Sequence, residues 1–225
     1  MRLAERFYSI QGEGKLAGVP SVFLRVSGCN LRCSWCDTPY ASWEPEGEDV
    51  PVERIVQQVR QYPARHVVLT GGEPLIMPDV QDLCAALKQQ GLHVTVETAA
   101  TVYKPLALDL ASLSPKLANS TPAGRHAEMH ERLRLNLPVV QRFIDNSPQF
   151  QLKFVVTGEA DLQEIDGILG SLRSWRNEDV LLMPEGIDAA TLRQRAVWVV
   201  EICKRRAWRY CPRLHVELFG HRRGA

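Results

Sequence analysis

The chain has 225 residues, 45% hydrophobic and 24% charged, with a formal net charge of +1. Those proportions exclude a disordered or low-complexity chain and describe an ordinary globular one. So small a net charge gives no reason to expect nucleic acid or membrane as a partner, although the last five residues, "HRRGA", are locally basic.

A chain of this size buries roughly 70 to 75% of the surface exposed when unfolded, so its core needs no disulfide staples. A single domain over residues 1–225 is the expectation. No run reaches about 18 apolar residues, and "MRLAERFYSIQGEG" lacks the apolar segment and small-residue cleavage site of a secretory leader. The reading is therefore cytoplasmic. In a reducing compartment clustered thiols are ligands or catalysts more often than disulfides.

In chain order, "SVFLRVSG" (21–28) reads as a first strand. Pro51 sits where a helix can begin, and Val52, Ile55, Val56 and Val59 recur at helical spacing before "HVVLTGG" resumes as a strand. "PDVQDLCAALKQQG" places Val80, Leu83, Cys84 and Leu87 on one helical face and ends at Gly91, a natural C-terminal cap. "HVTVET" is another strand. "LALDLASLSP", "QLKFVV", "DVLLMP" and "RLHVEL" read as further strands, with helices over 161–172 and 188–206. The polar region 119–134, with Gly124, His126 and His130, reads as an irregular or mobile loop.

Strands alternating with helices predict an α/β fold with a parallel sheet, doubly wound or barrel-like on periodicity alone. In either, the site belongs at the C-terminal strand ends. Cys29, Gly71-Gly72-Glu73-Pro74, Glu97-Thr98 and Ser114-Pro115-Lys116 follow or close four successive strands. That is the layout of one composite site.

Cys29, Cys33 and Cys36 lie within eight residues. Structural zinc takes four ligands, usually from two separated pairs, but Cys84 falls in a helix core and Cys203 and Cys211 form no close pair. His66 and His93 begin strands and belong at the opposite end of the sheet. One loop seldom buries three thiols as plain core residues. Three thiolates suit a cubane iron-sulfur cluster that leaves one iron open.

Cys-x-x-x-Cys-x-x-Cys, with Trp35 before the last cysteine, followed by "TGGEP", resembles the radical S-adenosylmethionine superfamily. "YSIQGEG", Arg25, "CDT", "SPK" and "MPEG" narrow the resemblance to the 7-carboxy-7-deazaguanine synthase family. It covers the chain from Phe7 onward and is weakest over 119–149.

The resemblance implies a partial, incomplete β/α barrel of the radical S-adenosylmethionine type, with cluster loop 28–38 and a substrate-closing tail over 219–225. A complete eight-unit barrel needs about 250 residues, so a partial one suits this length. It also implies a [4Fe–4S] cluster on Cys29, Cys33 and Cys36, with S-adenosylmethionine chelating the open iron. The implied reaction is contraction of 6-carboxy-5,6,7,8-tetrahydropterin to 7-carboxy-7-deazaguanine with loss of ammonia, a carbon-nitrogen lyase step toward queuosine. It begins with hydrogen abstraction from C6 by the 5'-deoxyadenosyl radical. The radical is generated on the cofactor, so no side chain is expected to be catalytic in itself.

By the same resemblance the cofactor is met by Trp35, Cys36, Asp37, Gly72, Glu73, Glu97, Ser114, Pro115, Lys116, Met183, Pro184, Glu185 and Gly186. Chemistry gives some of these residues independent reasons: Gly71 and Gly72 admit close backbone approach, and Glu73 suits the ligand's ammonium. Residues 183–186 depart from relatives with glutamine and serine there, so contact through backbone is expected. The substrate is met by Ile10, Gln11, Gly12, Glu13, Arg25, Thr70, His221 and Ala225. The planar guanidinium of Arg25 suits a carboxylate.

Thr38 is the implied magnesium ligand, and magnesium often takes few ligands from protein. Without the family, Thr38 reads as a turn residue or helix cap, Arg25 as a surface residue, Glu13 as a solvated acid, and Glu97, Thr98, Ser114 and Lys116 as strand-end caps. The implied partners are a small pterin, an external one-electron donor such as a flavodoxin-like protein, and a second copy in a homodimer; nucleic acid and membrane are not expected. His126, His130 and His215 read as structural or solvated.

Two other functions compete. A glycyl-radical activase shares the cysteine motif but often carries extra cysteine-rich segments, which are absent here. A non-catalytic metal-binding module leaves the GGEP and SPK segments without a task.

Overall fold

The computed structural model describes residues 1–224. Its first strand precedes the first one read from sequence: β1 (Arg2–Ile10) pairs antiparallel with β2 (Pro20–Val26) and, at its start, with β3 (Glu48–Asp49). From β2 the sheet continues in parallel through β4 (His66–Gly71), β5 (His93–Thr98), β6 (Leu110–Leu113), β7 (Gln149–Val156), β8 (Val180–Pro184) and β9 (Arg209–Tyr210). The order is β3-β1-β2-β4-β5-β6-β7-β8-β9, with β3 and β9 as free edges. The sheet curls without closing, which settles the architecture as a partial barrel.

Apolar runs become strands here because helices cover them. Every residue of β8 and the central four of β4 are buried, as in parallel strands packed on both faces. Leu24, Leu69, Leu113 and Leu152 are completely enclosed, each contributing about 1.5–3 kcal/mol relative to exposure. The covering helices are α2 (Val52–Val59), α3 (Val80–Gln89), α5 (Leu137–Asn146), α6 (Asp161–Gly170) and α7 (Ala189–Arg206), with short α1 (Pro39–Ser42), α4 (Ala127–Leu133) and α8 (Leu214–Phe219). Helix α2 begins after Pro51, and α3 ends before Gly91 at φ +72°, as their end signals require.

Two sequence expectations are corrected, and one helix appears where no element was read. The segment 119–134 is not an irregular loop: a 3-10 turn at Ala118–Ser120 leads to α4, and His130 is fully buried between them, its Nε2 2.9 Å from Ser120 Oγ. Tertiary packing around one buried imidazole orders a segment whose composition is turn-like. "RLHVEL" is not a strand. Its apolar alternation fits helix α8 equally, and Arg209–Tyr210 has already taken the edge position beside β8. Helix α5, in the region left unmatched, carries Val140, Phe143 and Ile144 into the core behind an Asn136 cap.

At the opposite end from the expected site, His66 and His93 start adjacent strands with ring centroids 4.5 Å apart. At the C-terminal end, β2 and β4 approach so closely that only glycine fits. A Cβ on Gly72 would lie 2.0 Å from the Gly28 carbonyl oxygen and 2.5 Å from that of Ala41. Both are backbone, so neither can rotate away. Gly72→Ala is expected to lower the unfolding free energy by about 1–3 kcal/mol through overpacking. A urea midpoint equal to wild type would show that this wall yields.

Candidate active site

The C-terminal strand ends line one cavity that includes Cys29, Cys33, Cys36, Gly72, Glu97 and Lys116. The grouping expected from four successive strand ends is therefore present in space. The loop with the three cysteines is braced from several directions. Gly28 N donates to Ala41 O at 2.8 Å, Trp43 Nε1 to Cys33 O at 3.1 Å, and Arg32 N to His130 Nδ1 at 3.1 Å. Trp35 Nε1 donates to Asn119 O at 3.1 Å. The turn and helix at 118–133 thus brace this loop.

Burial pushes the Cys29 thiol up to about 12, aided by the Glu73 charge. It pushes Cys33 up to about 11 against the opposing pull of Lys116. Both are protonated near neutral pH until a metal displaces the proton. Among the described residues no three His, Cys, Asp or Glu side chains converge on one ion position. A compact zinc site would need such convergence, whereas three corners of a cubane stand farther apart. The donor set, three thiols of one loop facing one cavity, fits a cluster with an open iron. Thr38 occupies the N-cap position of α1, yet its side chain makes no capping bond. The residue borders the cavity, and its hydroxyl lies 3.8 Å from the Cys36 sulfur.

The GGEP turn revises the part read for Glu73. Its carboxylate is fully buried and is not part of the cavity wall. It accepts from Thr98 Oγ1 at 2.7 Å, Leu75 N at 3.0 Å and Ala99 N at 2.9 Å. Burial raises its pKa and these donors oppose the rise. Glu73 thus ties the turn to the end of β5, while Gly71 and Gly72 face the cavity with backbone.

Glu97, expected on the cofactor side, accepts from Gln11 Nε2 at 3.1 Å and Thr70 Oγ1 at 2.9 Å, two residues read as substrate contacts. Lys116 donates to the Ser114 carbonyl and hydroxyl at 3.0 and 2.9 Å and sits 5.8 Å from the Trp35 ring centre. Trp35 packs on Val155, Leu181, Met183 and Cys211. Ser114 and Met183 border the cavity; Pro115, Pro184, Glu185 and Gly186 do not. Glu185 is occupied by Arg195, and the Gly186 carbonyl by Arg213.

Ile10, Gln11, Gly12, Glu13, Arg25 and Thr70 all border the same cavity. Arg25 is no surface residue. It lies between Glu5 and Thr70 in the sheet register and donates through Nε to Glu5 Oε1 at 2.6 Å. Its two terminal nitrogens make no hydrogen bond among the described residues. That free fork is the geometry a carboxylate takes up in bidentate fashion. Glu13 is not a solvated acid either: it forms ion pairs with Lys153 and with Arg213. Burial would raise its pKa, but the two cations outweigh burial and hold it well below the ordinary carboxylate range. Burial would lower Lys153, and Glu13 more than reverses that.

Lys153 and Arg213 border the cavity without having been singled out in the sequence, and so does His215, which was read as structural or solvated. Lys153 had a signal: a lone lysine inside the buried strand "QLKFVV" requires a partner. His215 packs so tightly on Gly12 that a Cβ there would meet its Nδ1 at 1.9 Å. Burial lowers its pKa and favours the neutral ring. His221, expected in the main cavity, instead borders an adjoining one and lies 3.0 Å from the Asp37 carbonyl through Nε2. Ala225 lies outside the described residues.

Because the folded Glu13 pKa is depressed, its contribution to stability is complete above the ordinary value of 4.5 and is lost as pH falls toward the folded value. Urea midpoints of the wild type should therefore decline as pH is taken below 4.5. Glu13→Gln should show a shallower decline. Parallel pH profiles would mean that Glu13 titrates normally.

Residues 24–136 match the family described as the radical SAM superfamily. The chain is 45% identical to the 7-carboxy-7-deazaguanine synthase of Rhodopirellula baltica, over 99% of this chain and 88% of that protein. It is also 45% identical to the protein of that name from Halobacterium salinarum, over 96% and 89% of the two chains. Among solved structures it resembles the crystal structure of QueE from Escherichia coli, with a TM-score of 0.69 and 25% identity, covering 93% of this chain and 92% of that one. Streptococcus suis SuiB, at 16% identity and a TM-score of 0.56, shares the fold. Near-full-length similarity, together with one cavity that joins the three cysteines to the GGEP turn, leads to one conclusion: the chain belongs to the 7-carboxy-7-deazaguanine synthase family of radical S-adenosylmethionine enzymes.

Proposed function

We propose that this chain contracts the ring of 6-carboxy-5,6,7,8-tetrahydropterin to 7-carboxy-7-deazaguanine, releasing ammonia and supplying a precursor of 7-deazapurines such as queuosine. The observation that carries this reading is the Arg25 guanidinium, whose two terminal nitrogens are unpaired among the described residues and which borders the same cavity as all three cluster cysteines and Thr38. It offers an acidic small molecule a bidentate contact beside the radical source. Family membership supplies the reaction class.

When bound, the cluster and S-adenosylmethionine supply reductive cleavage and reversible hydrogen abstraction. Cys29, Cys33 and Cys36 hold the cluster, and the backbone of Gly71 and Gly72 presents acceptors to the cofactor's ammonium. Trp35 and Met183 offer an apolar wall, and Lys116 a cation, to the remainder of the cofactor. Arg25 would take the pterin carboxylate, and the Thr38 hydroxyl would serve as a protein ligand to a magnesium ion beside it. The N–H donors of the pterin edge find acceptors in Gln11, Glu13 and Glu97. Neutral His215, seated on Gly12, closes that side in place of His221.

No helix is long and apolar enough to cross a membrane. A cytoplasmic location, an external one-electron donor and a homodimer complete the proposal. The glycyl-radical activase is the weaker alternative, because the buried acceptors and the free guanidinium together match a small polar acid.

The test is anaerobic reconstitution with dithionite, S-adenosylmethionine, magnesium and 6-carboxytetrahydropterin, with mass spectrometry of the products. Wild type should form 5'-deoxyadenosine and 7-carboxy-7-deazaguanine. Cys33→Ala should form neither. Arg25→Ala should retain uncoupled cofactor cleavage while its KM for the pterin rises roughly 10- to 100-fold, the value of one lost charge-assisted contact. Deoxyadenosine without the deazaguanine in wild type would reject this substrate.

A further inference from the structure

Arg213 precedes α8, and its buried guanidinium joins three separate strand-end segments. Nε donates to Glu13 Oε1 at 3.1 Å, Nη1 to Gly186 O at 2.6 Å, and Nη2 to Asp37 Oδ2. Glu13 stands in the turn after β1 and is also paired with Lys153. Asp37 stands in the cluster loop, between Cys36 and Thr38. One buried cation is thus shared by a largely buried anion on the substrate side and a partly exposed anion on the cofactor side.

We propose that Arg213 is a positioning residue that links the two halves of the cavity, so that occupancy on the Glu13 side tightens the binding of S-adenosylmethionine on the Asp37 side. The physical route is redistribution of charge. N–H donors on Glu13 weaken its hold on Arg213, which then pulls harder on Asp37 and stiffens the loop carrying the cluster thiols. The identity of the occupant rests on the pterin reading above; the linkage between Glu13 and Asp37 does not. A lysine cannot reproduce the role, since only a planar fork reaches three acceptors at fixed angles.

The experiment measures S-adenosylmethionine affinity by equilibrium dialysis on cluster-loaded protein, with and without 6-carboxypterin, an oxidised and unreactive relative of the substrate. In wild type the pterin should tighten the cofactor by about 10-fold, within the usual range of coupling between sites. In Arg213→Met the factor should fall to about 1, and in Arg213→Lys it should lie between, as expected when coupling runs through the fork. A purely structural role would lower thermal stability in both variants but leave the factor unchanged, and that result would overturn the proposal.

If 6-carboxypterin fails to bind wild type, the substrate reading fails, and the linkage is decided by a mutant cycle without ligand. Glu13→Gln should change the cofactor Kd in the wild-type background and cause no further change with Arg213→Met. Multiplicative effects of the two substitutions would overturn it. Should Arg213→Met not fold, Arg213→Lys takes its place in the cycle with Glu13→Gln, and the two effects should then be less than multiplicative.

Discussion

The structure depends on how closely the ends of β2 and β4 approach each other. Gly72 N donates to Val26 O at 3.1 Å and Glu73 N to Gly28 O at 2.8 Å, so the ladder between the two strands continues into the loops that follow them. At Gly71, with φ +131°, a Cβ would lie 2.3 Å from the Val26 carbonyl oxygen. Only two glycines in succession allow the cysteine loop and the GGEP turn to share one wall. Any side chain there would push the cysteine loop away from the backbone of the GGEP turn.

Glu73 stabilises that approach from behind. A carboxylate with no solvent exposure is costly unless its oxygens are satisfied, and this one receives two backbone N–H groups and a threonine hydroxyl. It joins the turn after β4 to the end of β5 and leaves the cavity surface to the glycines. On the far side of the cluster loop, His130 performs the matching task through Arg32 and Ser120. The loop is held by hydrogen bonds on both flanks, which lowers the entropy cost of gathering three thiols around a cluster.

The other half of the cavity is organised by charge. Glu13, Lys153, Arg213 and Asp37 form a continuous set of ion pairs from β7 to the cluster loop. Removing one member of such a buried set is expensive because its partner remains desolvated. The set fixes a polar pocket of definite shape beside Arg25, whose own partner Glu5 also accepts from the Tyr40 hydroxyl at 2.6 Å. Among the described residues Glu5 pairs with Nε of Arg25 alone. Open-sheet architecture brings these charges together, since residues 13, 37 and 213 lie in segments beyond strand ends while Lys153 reaches the same cavity from within β7.

Reading the sequence against the structure separates two kinds of information. The grouping of Cys29, Cys33 and Cys36 with the GGEP turn was legible because its signals are local: three thiols share a short loop, and close backbone approach demands glycine. Most strands and long helices were legible from periodicity and end signals, as with α2 after Pro51 and α3 before Gly91. Local pattern failed at α8, where alternation suits either element, and at α4, ordered by the buried His130. It failed at Glu73, whose charge faces inward, and at Lys153, Arg213 and His215, whose partners lie tens to hundreds of residues away. By itself the sequence determined the class of chemistry, the parallel α/β arrangement and the end of the sheet that bears the site. Only the tertiary structure decided which charged residues pair across the cavity and which histidine enters it, because ion pairing and burial depend on distances between strand ends that no local pattern encodes.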